Sequence, residues 1–366
     1  MIRLATLFSG IGSIEWALKR LNIEHKIVFA CDNGEIDIPN IDEEQVREYI
    51  KTIESADEQK KYIDSLLANV RKTNFVKQTY LANYDIDEKD FLHDIRFIDG
   101  TKYKGKVDLL VGGSPCQSFS IMGYQRGFED TRGTLFYDYA RLISEIEPKV
   151  FIFENVQGLL KHDKGNTWEV IKGTFEGLGY DLHMKVLDSK EYGIPQTRRR
   201  LFVIGFKNQK ENFEFPKEIN LTYTLQDFLE TTTKYGNFTS VNGQIQLEKE
   251  AGEILDKYFL SDAVRNHVMS PGSKNYYTKP EIDLKIARPL LCTMHKMHRA
   301  GVDNYVTYKE KIRKLTPREC LRLMGYDDSF KIVVSDLQAY RQAGNSIVVD
   351  VLINVMKEIL KVEDFK

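Results

Sequence analysis

Short apolar runs alternate with helix-like segments through the first half of this chain, and that rhythm restricts the fold more than any other feature. Residues 4–8, 26–31, 107–111, 150–153 and 182–187 read as strands, and residues 14–21, 135–146 and 167–178 as helices. Strands that are apolar along their whole length are buried on both faces, as in a parallel sheet covered by helices. The pattern predicts an α/β fold with a doubly wound sheet, whose ligands gather at the carboxyl ends of the strands. A helical run over residues 346–360 would complete the same domain.

Two stretches interrupt the rhythm. Residues 36–90 read as an acidic, helix-rich insertion, expected to be a solvated surface decoration; residues 35–90 carry 14 Asp/Glu against 8 Lys/Arg. Residues 207 to about 312 turn polar, with Thr231, Thr232, Thr233, Gly236, Gly243, Pro271 and Gly272, and read as a separate smaller domain. The expected division is residues 1–206 with 335–366 as one domain, and 207–334 as a second domain with its hinge; 366 residues leave room for both.

A net charge of −2 and a pI near 6.4 do not announce a nucleic-acid binder. Residues 265–313, however, hold 10 Lys/Arg against 4 Asp/Glu and three histidines. Phosphate binding depends on where positive charge sits more than on its total. No apolar run approaches the roughly 20 residues of a membrane helix. The N-terminal apolar residues break at Ser9 and Gly10, unlike a secretory signal. Cys31, Cys116, Cys292 and Cys320 are widely spaced, which fits a reducing cytoplasm better than a disulfide framework.

Phe8-Ser9-Gly10-Ile11-Gly12 lies between the first strand and the first helix, where glycines let the backbone approach a ligand. A dinucleotide fingerprint would need a third glycine where Glu15 stands. That argues against a bound pyrophosphate but not against a nucleoside with an uncharged arm. Asp32, followed by Asn33, ends the second strand, where a carboxylate can accept hydrogen bonds from ribose hydroxyls.

Three further segments carry chemistry. Gly112-Gly113-Ser114-Pro115-Cys116-Gln117 puts a thiol just past a strand, with Gly123, Gly127 and Gly133 after it. Phe153-Glu154-Asn155-Val156 puts an acid at the end of the next strand. Gln196-Thr197-Arg198-Arg199-Arg200 opens another strand, with Arg198 and Arg200 on one face and Arg199 opposite. A thiol, an acid and paired arginines suit attack on an electron-poor ring with polar edges.

This set resembles the catalytic core of the cytosine carbon-5 DNA methyltransferases, over residues 1–35, 91–206 and about 286–355. The resemblance implies a Rossmann-like S-adenosylmethionine-dependent methyltransferase domain with a smaller target recognition domain. Phe8, Ser9, Gly10, Ile11 and Gly12 would wrap the methionine arm of S-adenosyl-L-methionine, Asp32 and Asn33 would hold the ribose, and Asp94 and Ile95 would flank the adenine. Pro115, Leu135, Asn345 and Ser346 would complete the cofactor pocket. Ser13 departs from the family, where many relatives carry a second glycine. Cys116 would be the nucleophile, Glu154 the acid on the cytosine ring, Arg200 the contact to its carbonyl, and Arg198 a brace of the site or a phosphate contact. Residues 118–133 resemble a loop that closes over DNA, with Gln117, Ser120 and Arg132 at DNA-facing positions.

Arg313 to Cys320 and Met324-Gly325-Tyr326 resemble the segment that closes the small domain in relatives, whereas Pro289-Leu290 stands where relatives often have Thr-Leu. Cys292, His295 and His298 are evenly spaced, but three ligands at that spacing are unlike common zinc sites, so no metal is expected. His295, Lys296, His298 and Arg299 are instead expected to face DNA. The expectation is a cytoplasmic, nucleoid-associated DNA (cytosine-5-)-methyltransferase of the prokaryotic restriction-modification type. It would act on double-stranded DNA as a monomer, beside a cognate endonuclease as functional partner and without a membrane. Two alternatives stay open: a transfer RNA cytosine-5 methyltransferase, and a catalytically silent DNA-binding module.

Overall fold

The computed structural model describes residues 1–114, 135–207, 213–273, 276–362 and 365. In chain order the elements of the first part are β1 (Ile2–Leu7), α1 (Ser13–Arg20), β2 (His25–Cys31), α2 (Glu43–Thr52), α3 (Ala56–Leu66), α4 (Phe75–Asn83), β3 (Phe91–Leu92), β4 (Leu109–Gly112), α5 (Leu135–Ile146), β5 (Val150–Val156), α6 (Asn166–Gly177), β6 (Tyr180–Asp188) and β7 (Arg199–Lys207). The strands form one sheet in the order β3-β2-β1-β4-β5-β7-β6, parallel except for β7, which runs against both its neighbours. The expected α/β class stands, and the antiparallel β7 is the part that apolar runs could not reveal.

Strand alternation divides the core. Leu4, Leu109, Val111, Ile152, Phe202 and Ile204 face one side of the sheet, under α1 and the C-terminal helix. Ala5, Leu7, Leu110, Phe151, Phe153 and Val203 face the other, under α5 and α6. Both faces are apolar, so the strand sequences show no polar alternation. Gly205 is required here: a Cβ on it would lie 2.1 Å from the ring of Phe151 on β5.

Register fixes what lies at the carboxyl edge. Leu7 is level with Cys31 and with Gly112, Gly112 with Phe153, and Cys31 with Leu92. The residues that follow, Phe8, Asp32, Gly113, Glu154 and the His93-Asp94 pair, therefore emerge side by side. The strand order reverses at β1 and β4, and the crevice at such a reversal is where open α/β sheets hold ligands.

The second part continues with β8 (Phe238–Val241), β9 (Gln244–Leu247), α7 (Asp262–Val268), β10 (Gly272–Ser273), β11 (Tyr276–Tyr277), β12 (Tyr305–Tyr308), β13 (Lys311–Lys314), α8 (Pro317–Arg322), α9 (Asp336–Asn345) and α10 (Val349–Ile359). β8–β9, β10–β11 and β12–β13 are two-stranded antiparallel ribbons. The core does not break at residue 207. Phe213, Leu225, Phe228, Phe238, Leu290 and Val306 belong to the same cluster as Leu4 and Trp16. The β8–β9 turn is tied to α1, with Gly243 N–H donating to the Arg20 carbonyl at 2.8 Å. A smaller cluster of its own gathers Val268, Ala300 and Tyr305, with Leu260, Val264, Met269, Ile282 and Ile312 around it.

The expectation for residues 36–90 needs a correction. α2 and α3 are largely exposed, and α2 is capped by a local polar group: the Asp42 carboxylate accepts from Glu44 N–H at 3.0 Å. α4 is not decoration. Its Tyr80 is fully buried in the main core, and Gln342 of α9 donates to the Phe75 carbonyl at 2.9 Å. Among the described residues no helix is long and apolar enough to cross a membrane.

Candidate active site

The turn after β1 is built by backbone freedom. Phe8, Gly10 and Gly12 have φ of 52°, 54° and 78°, the left-handed region that Gly occupies without Cβ strain. Among the described residues a Cβ on Gly10 would meet nothing closer than 4.0 Å, so they leave space before the loop. Asp32 holds the loop from beside it: its carboxylate accepts from Gly10 N–H at 2.9 Å and from Gly34 N–H at 2.8 Å. Burial pushes the Asp32 carboxyl up, and the amides of Gly34 and Gly10 and the nearby His93 pull it partly back. Ser9 ties the same turn to β2, accepting from Cys31 N–H at 2.9 Å.

Two tyrosines of the supposed insertion lie behind this loop. The Tyr84 hydroxyl reaches the carbonyls of Ile11 at 2.9 Å and Gly12 at 2.5 Å, and a Cβ on Gly12 would strike its ring at 2.3 Å. Tyr80 donates to Glu15 at 2.5 Å, and Thr6 donates to the same oxygen at 2.9 Å. Glu15, where a dinucleotide fold would need its third glycine, is a fully buried acid raised by desolvation. The four-residue spacing of Tyr80 and Tyr84 at the end of a helical run was the signal for these contacts.

On the adenine side of the expected pocket, Asp94 caps the turn Ile95–Phe97 and accepts from Arg96 through its backbone N–H, Nε and Nη2. Ile95 is buried. Opposite, Ser346 bonds Ser13 at 2.8 Å and Tyr326 at 3.0 Å. The serine that departs from the family thus ties α1 to the C-terminal segment. Asn345 is exposed beside it, and Leu135 begins α5 half-buried.

Glu154 and Arg200 come together. Arg200 pairs in register with Val156, and its Nε lies 3.2 Å from Glu154 Oε1. Desolvation raises the Glu154 carboxyl, while Arg200 and then Arg198 pull it back. Gly113 of the neighbouring strand end must be glycine, because a Cβ there would lie 2.5 Å from the Glu154 carbonyl. Asn155 is buried and donates to the Ser114 carbonyl at 3.0 Å. Pro115, Cys116, Gln117, Ser120 and Arg132 lie outside the described residues.

Arg198 is enclosed rather than open. Its Nη1 donates to the Leu290 carbonyl at 2.8 Å and its Nη2 to the carbonyls of Gly344 at 2.8 Å and Ser346 at 2.9 Å. Its Nε is buried and has no hydrogen-bond partner among the described residues. Burial and the neighbouring Arg200 push the guanidinium down to about 9, so it keeps its charge at neutral pH. Arg199 points the other way, exposed and 3.2 Å from Asp188. Gln196 donates to the Leu323 carbonyl at 2.7 Å and accepts from Leu290 N–H at 2.9 Å, so Pro289-Leu290 is gripped by its backbone.

The basic loop after it packs against α9, where a Cβ on Gly344 would lie 2.2 Å from Cys292 N. Lys296 is exposed. His298 and Arg299 are held within the loop region, by Thr293 at 3.0 Å and Ser270 at 2.9 Å, and His295 Nδ1 is buried with no partner among the described residues. Among the described residues no three His, Cys, Asp or Glu side chains are grouped as metal ligands.

The family model described as C-5 cytosine-specific DNA methylase matches residues 49–361. The chain belongs to that family. As a C-5 cytosine-specific DNA methylase it is the enzyme its sequence predicts, a DNA (cytosine-5-)-methyltransferase. It is 40% identical to the Type II methyltransferase M.HhaI of Haemophilus parahaemolyticus over 248 residues, 67% of this chain and 73% of the relative. It is 37% identical to the Type II methyltransferase M.SsoII of Shigella sonnei over 308 residues, 79% of this chain and 72% of the relative. The fold is similar to the crystal structure of the Schizosaccharomyces pombe (S. pombe) Dnmt2 methyltransferase, with a TM-score of 0.69 at 19% identity over 99% of each chain. At that identity the last likeness speaks for the methylase fold alone.

Proposed function

We propose that this enzyme methylates carbon-5 of one cytosine within a specific short sequence of duplex DNA, using S-adenosylmethionine, a flipped-out base and a covalent adduct to Cys116. The observation that carries it is the Glu154–Arg200 pair at the carboxyl edge, 3.2 Å apart and one strand from the segment that bears the thiol. The restriction-modification reading is supported by relatives named Type II methyltransferases.

The cofactor fits the residues present: the described residues leave space before Gly10, and Asp32 fixes the loop between β1 and α1. The residues from Phe8 to Gly12 would hold the methionine arm, Asp32 and Asn33 the ribose, Asp94 and Ile95 the adenine, and Asn345 and Ser346 the closing wall. When bound, S-adenosylmethionine supplies an electrophilic methyl group on its sulfonium. The chain must make carbon-5 nucleophilic.

Addition of the Cys116 thiolate to carbon-6 breaks the aromaticity of cytosine and puts electron density on carbon-5, dividing a hard step into easier ones. Glu154 in its neutral form donates to ring nitrogen-3, drawing that density as the thiolate adds. Arg200 binds the ring carbonyl, and Arg198 braces the strand start that carries it. Once carbon-5 carries the methyl group, water takes its proton, the freed electron pair re-forms the 5,6 double bond as it expels the thiolate, and nitrogen-3 returns its proton to Glu154. The base must leave the duplex, at a few kcal/mol of stacking and pairing.

The test is expression in a methylation-negative bacterium beside Cys116→Ala, with bisulfite sequencing of the host genome. Protected cytosines in one short context, lost in the variant, are the expected result. Uniform conversion in both strains, with soluble protein present, would overturn the DNA reading.

A further inference from the structure

Residues 38–66, the part of the acidic insertion that holds α2 and α3, pack on the body of the enzyme beside the turn that follows Asp94. Their apolar side chains Ile38, Val46, Ile50 and Ile63 close over Phe97, the last residue of the turn that starts beside Asp94. Gln59 of α3 donates to Asp99 at 3.1 Å, and just ahead of this segment the His93 ring meets the Ile36 carbonyl at 2.9 Å. The segment is therefore packed on residues 93–99, the stretch that contains the two adenine-side residues.

Charges tighten the same contact. Arg96 grips the buried Asp94 carboxylate through three donors, and its other Nη meets Glu43 at the start of α2. Burying a polar group costs free energy unless it is hydrogen-bonded, and these donors also fix the carboxylate in place. One turn along, Arg47 of α2 lies 3.0 Å from Asp138 of α5. Arg141 shares Asp138 and donates to the carbonyls of Ile95 at 3.0 Å and Ile98 at 2.8 Å. α2 is thus bonded both to the turn that carries Asp94 and Ile95 and to the helix that begins at Leu135.

We infer that α2 is a strap that positions Asp94 and Ile95 for the adenine edge of S-adenosylmethionine, acting through Glu43–Arg96 and Arg47–Asp138. Glu43, Arg96 and Arg47 are positioning residues: α2 holds Arg96, and Arg96 fixes the carboxylate. The three donors of Arg96 make four hydrogen bonds to this carboxylate, two on each oxygen, with Nε shared between them; a carboxylate has about four acceptor sites, so a further donor takes over one arm of the shared Nε contact. An exocyclic amine of a purine is such a donor. The strap rests on the reading of Asp94 and Ile95 as the adenine side, and its test separates the two.

Glu43 and Arg47 are partly exposed, so Glu43→Gln with Arg47→Ala should fold. The double variant is expected to raise KM for S-adenosylmethionine about three- to tenfold, the range that loss of two partly exposed ion pairs allows. kcat and KM for DNA should stay within about twofold, and Lys51→Ala on the same helix should change nothing. Binding of S-adenosylhomocysteine and of S-inosylhomocysteine, which lacks the amine, should show a narrowed preference for the first. An unchanged KM and preference, while Asp94→Asn weakens binding and removes the preference, would overturn the strap alone. Equal weakening toward both compounds would also overturn it, as general loosening. If Asp94→Asn leaves both quantities unchanged, the adenine-side reading falls and the strap with it. Should the double variant fail to fold, Glu43→Gln alone decides by the same measurements.

Discussion

The Asn155 side chain donates to the Ser114 carbonyl at 3.0 Å, and its own oxygen accepts from Val156 N–H at 2.8 Å. One buried amide thus joins the end of β5 to the backbone two residues before Cys116. The bond fixes where the thiol-bearing segment leaves the sheet relative to Glu154. Asn155→Ala removes it and leaves the Ser114 carbonyl unpaired. Misplacement of a reacting group by about 1 Å can cost roughly a hundredfold, so kcat should fall by about ten- to a hundredfold. Affinity for S-adenosylhomocysteine should hardly change; steady-state kinetics with a binding titration checks both.

Glu154 yields a prediction in pH. Its proposed role needs the neutral acid, and desolvation raises its carboxyl against the pull of Arg200 and Arg198. kcat should therefore fall as pH rises through the raised value. Arg200→Met removes the nearer cation, so the alkaline limb should move to higher pH even as kcat drops. The stability sign follows the same shift. A carboxyl raised on folding contributes most below its unfolded pKa, and that contribution is lost as pH rises through the folded value. Glu154→Gln should abolish that slope, as read from urea unfolding across the pH range.

Much of this candidate site was legible because its proposed groups stand at strand ends and strands announce themselves as apolar runs. The apolar runs alone bring Phe8, Asp32, Gly113 and Glu154 to one edge of the sheet. The run 91–92 was too short to register, which hid how close Asp94 lies to Asp32. The contribution of α4 was hidden for another reason. Acidic residues on α2 and α3 dominated the composition of the stretch, while two tyrosines four apart carried its buried face. The partners of Arg198 are backbone carbonyls of residues 290, 344 and 346, and no side-chain pattern records a carbonyl.

Tyr84 offers a test of that missed contact. Its hydroxyl holds the carbonyls of Ile11 and Gly12, and its ring fills the place a Cβ on Gly12 would take. Tyr84→Phe keeps the ring and removes the bonds. KM for S-adenosylmethionine should rise about three- to tenfold, the worth of one or two neutral hydrogen bonds. Gly12→Ala meets both the ring and a positive φ and should lose cofactor binding outright. Equilibrium binding of S-adenosylhomocysteine to both variants measures this; equal effects from the two would contradict the separation of bond from packing.

Arg198 binds β7 to two distant segments, and its removal separates a structural loss from a catalytic one. Arg198→Met fills much of the volume but strands the carbonyls of Leu290, Gly344 and Ser346. A buried group left unpaired costs about 1–3 kcal/mol, and breaking a buried charged network about 3–5 kcal/mol. A net destabilisation of about 3–5 kcal/mol is expected, read as a fall in the urea midpoint at unchanged slope. Arg198→Lys can reach one or two of the carbonyls but not all three, so it should recover part of that stability. Arg200→Met, whose partner is the Glu154 carboxylate, should lose activity with little change in the midpoint. If Arg198→Met instead keeps its midpoint and loses only kcat, then its Nε, which has no partner among the described residues, and not the brace, is what the enzyme uses.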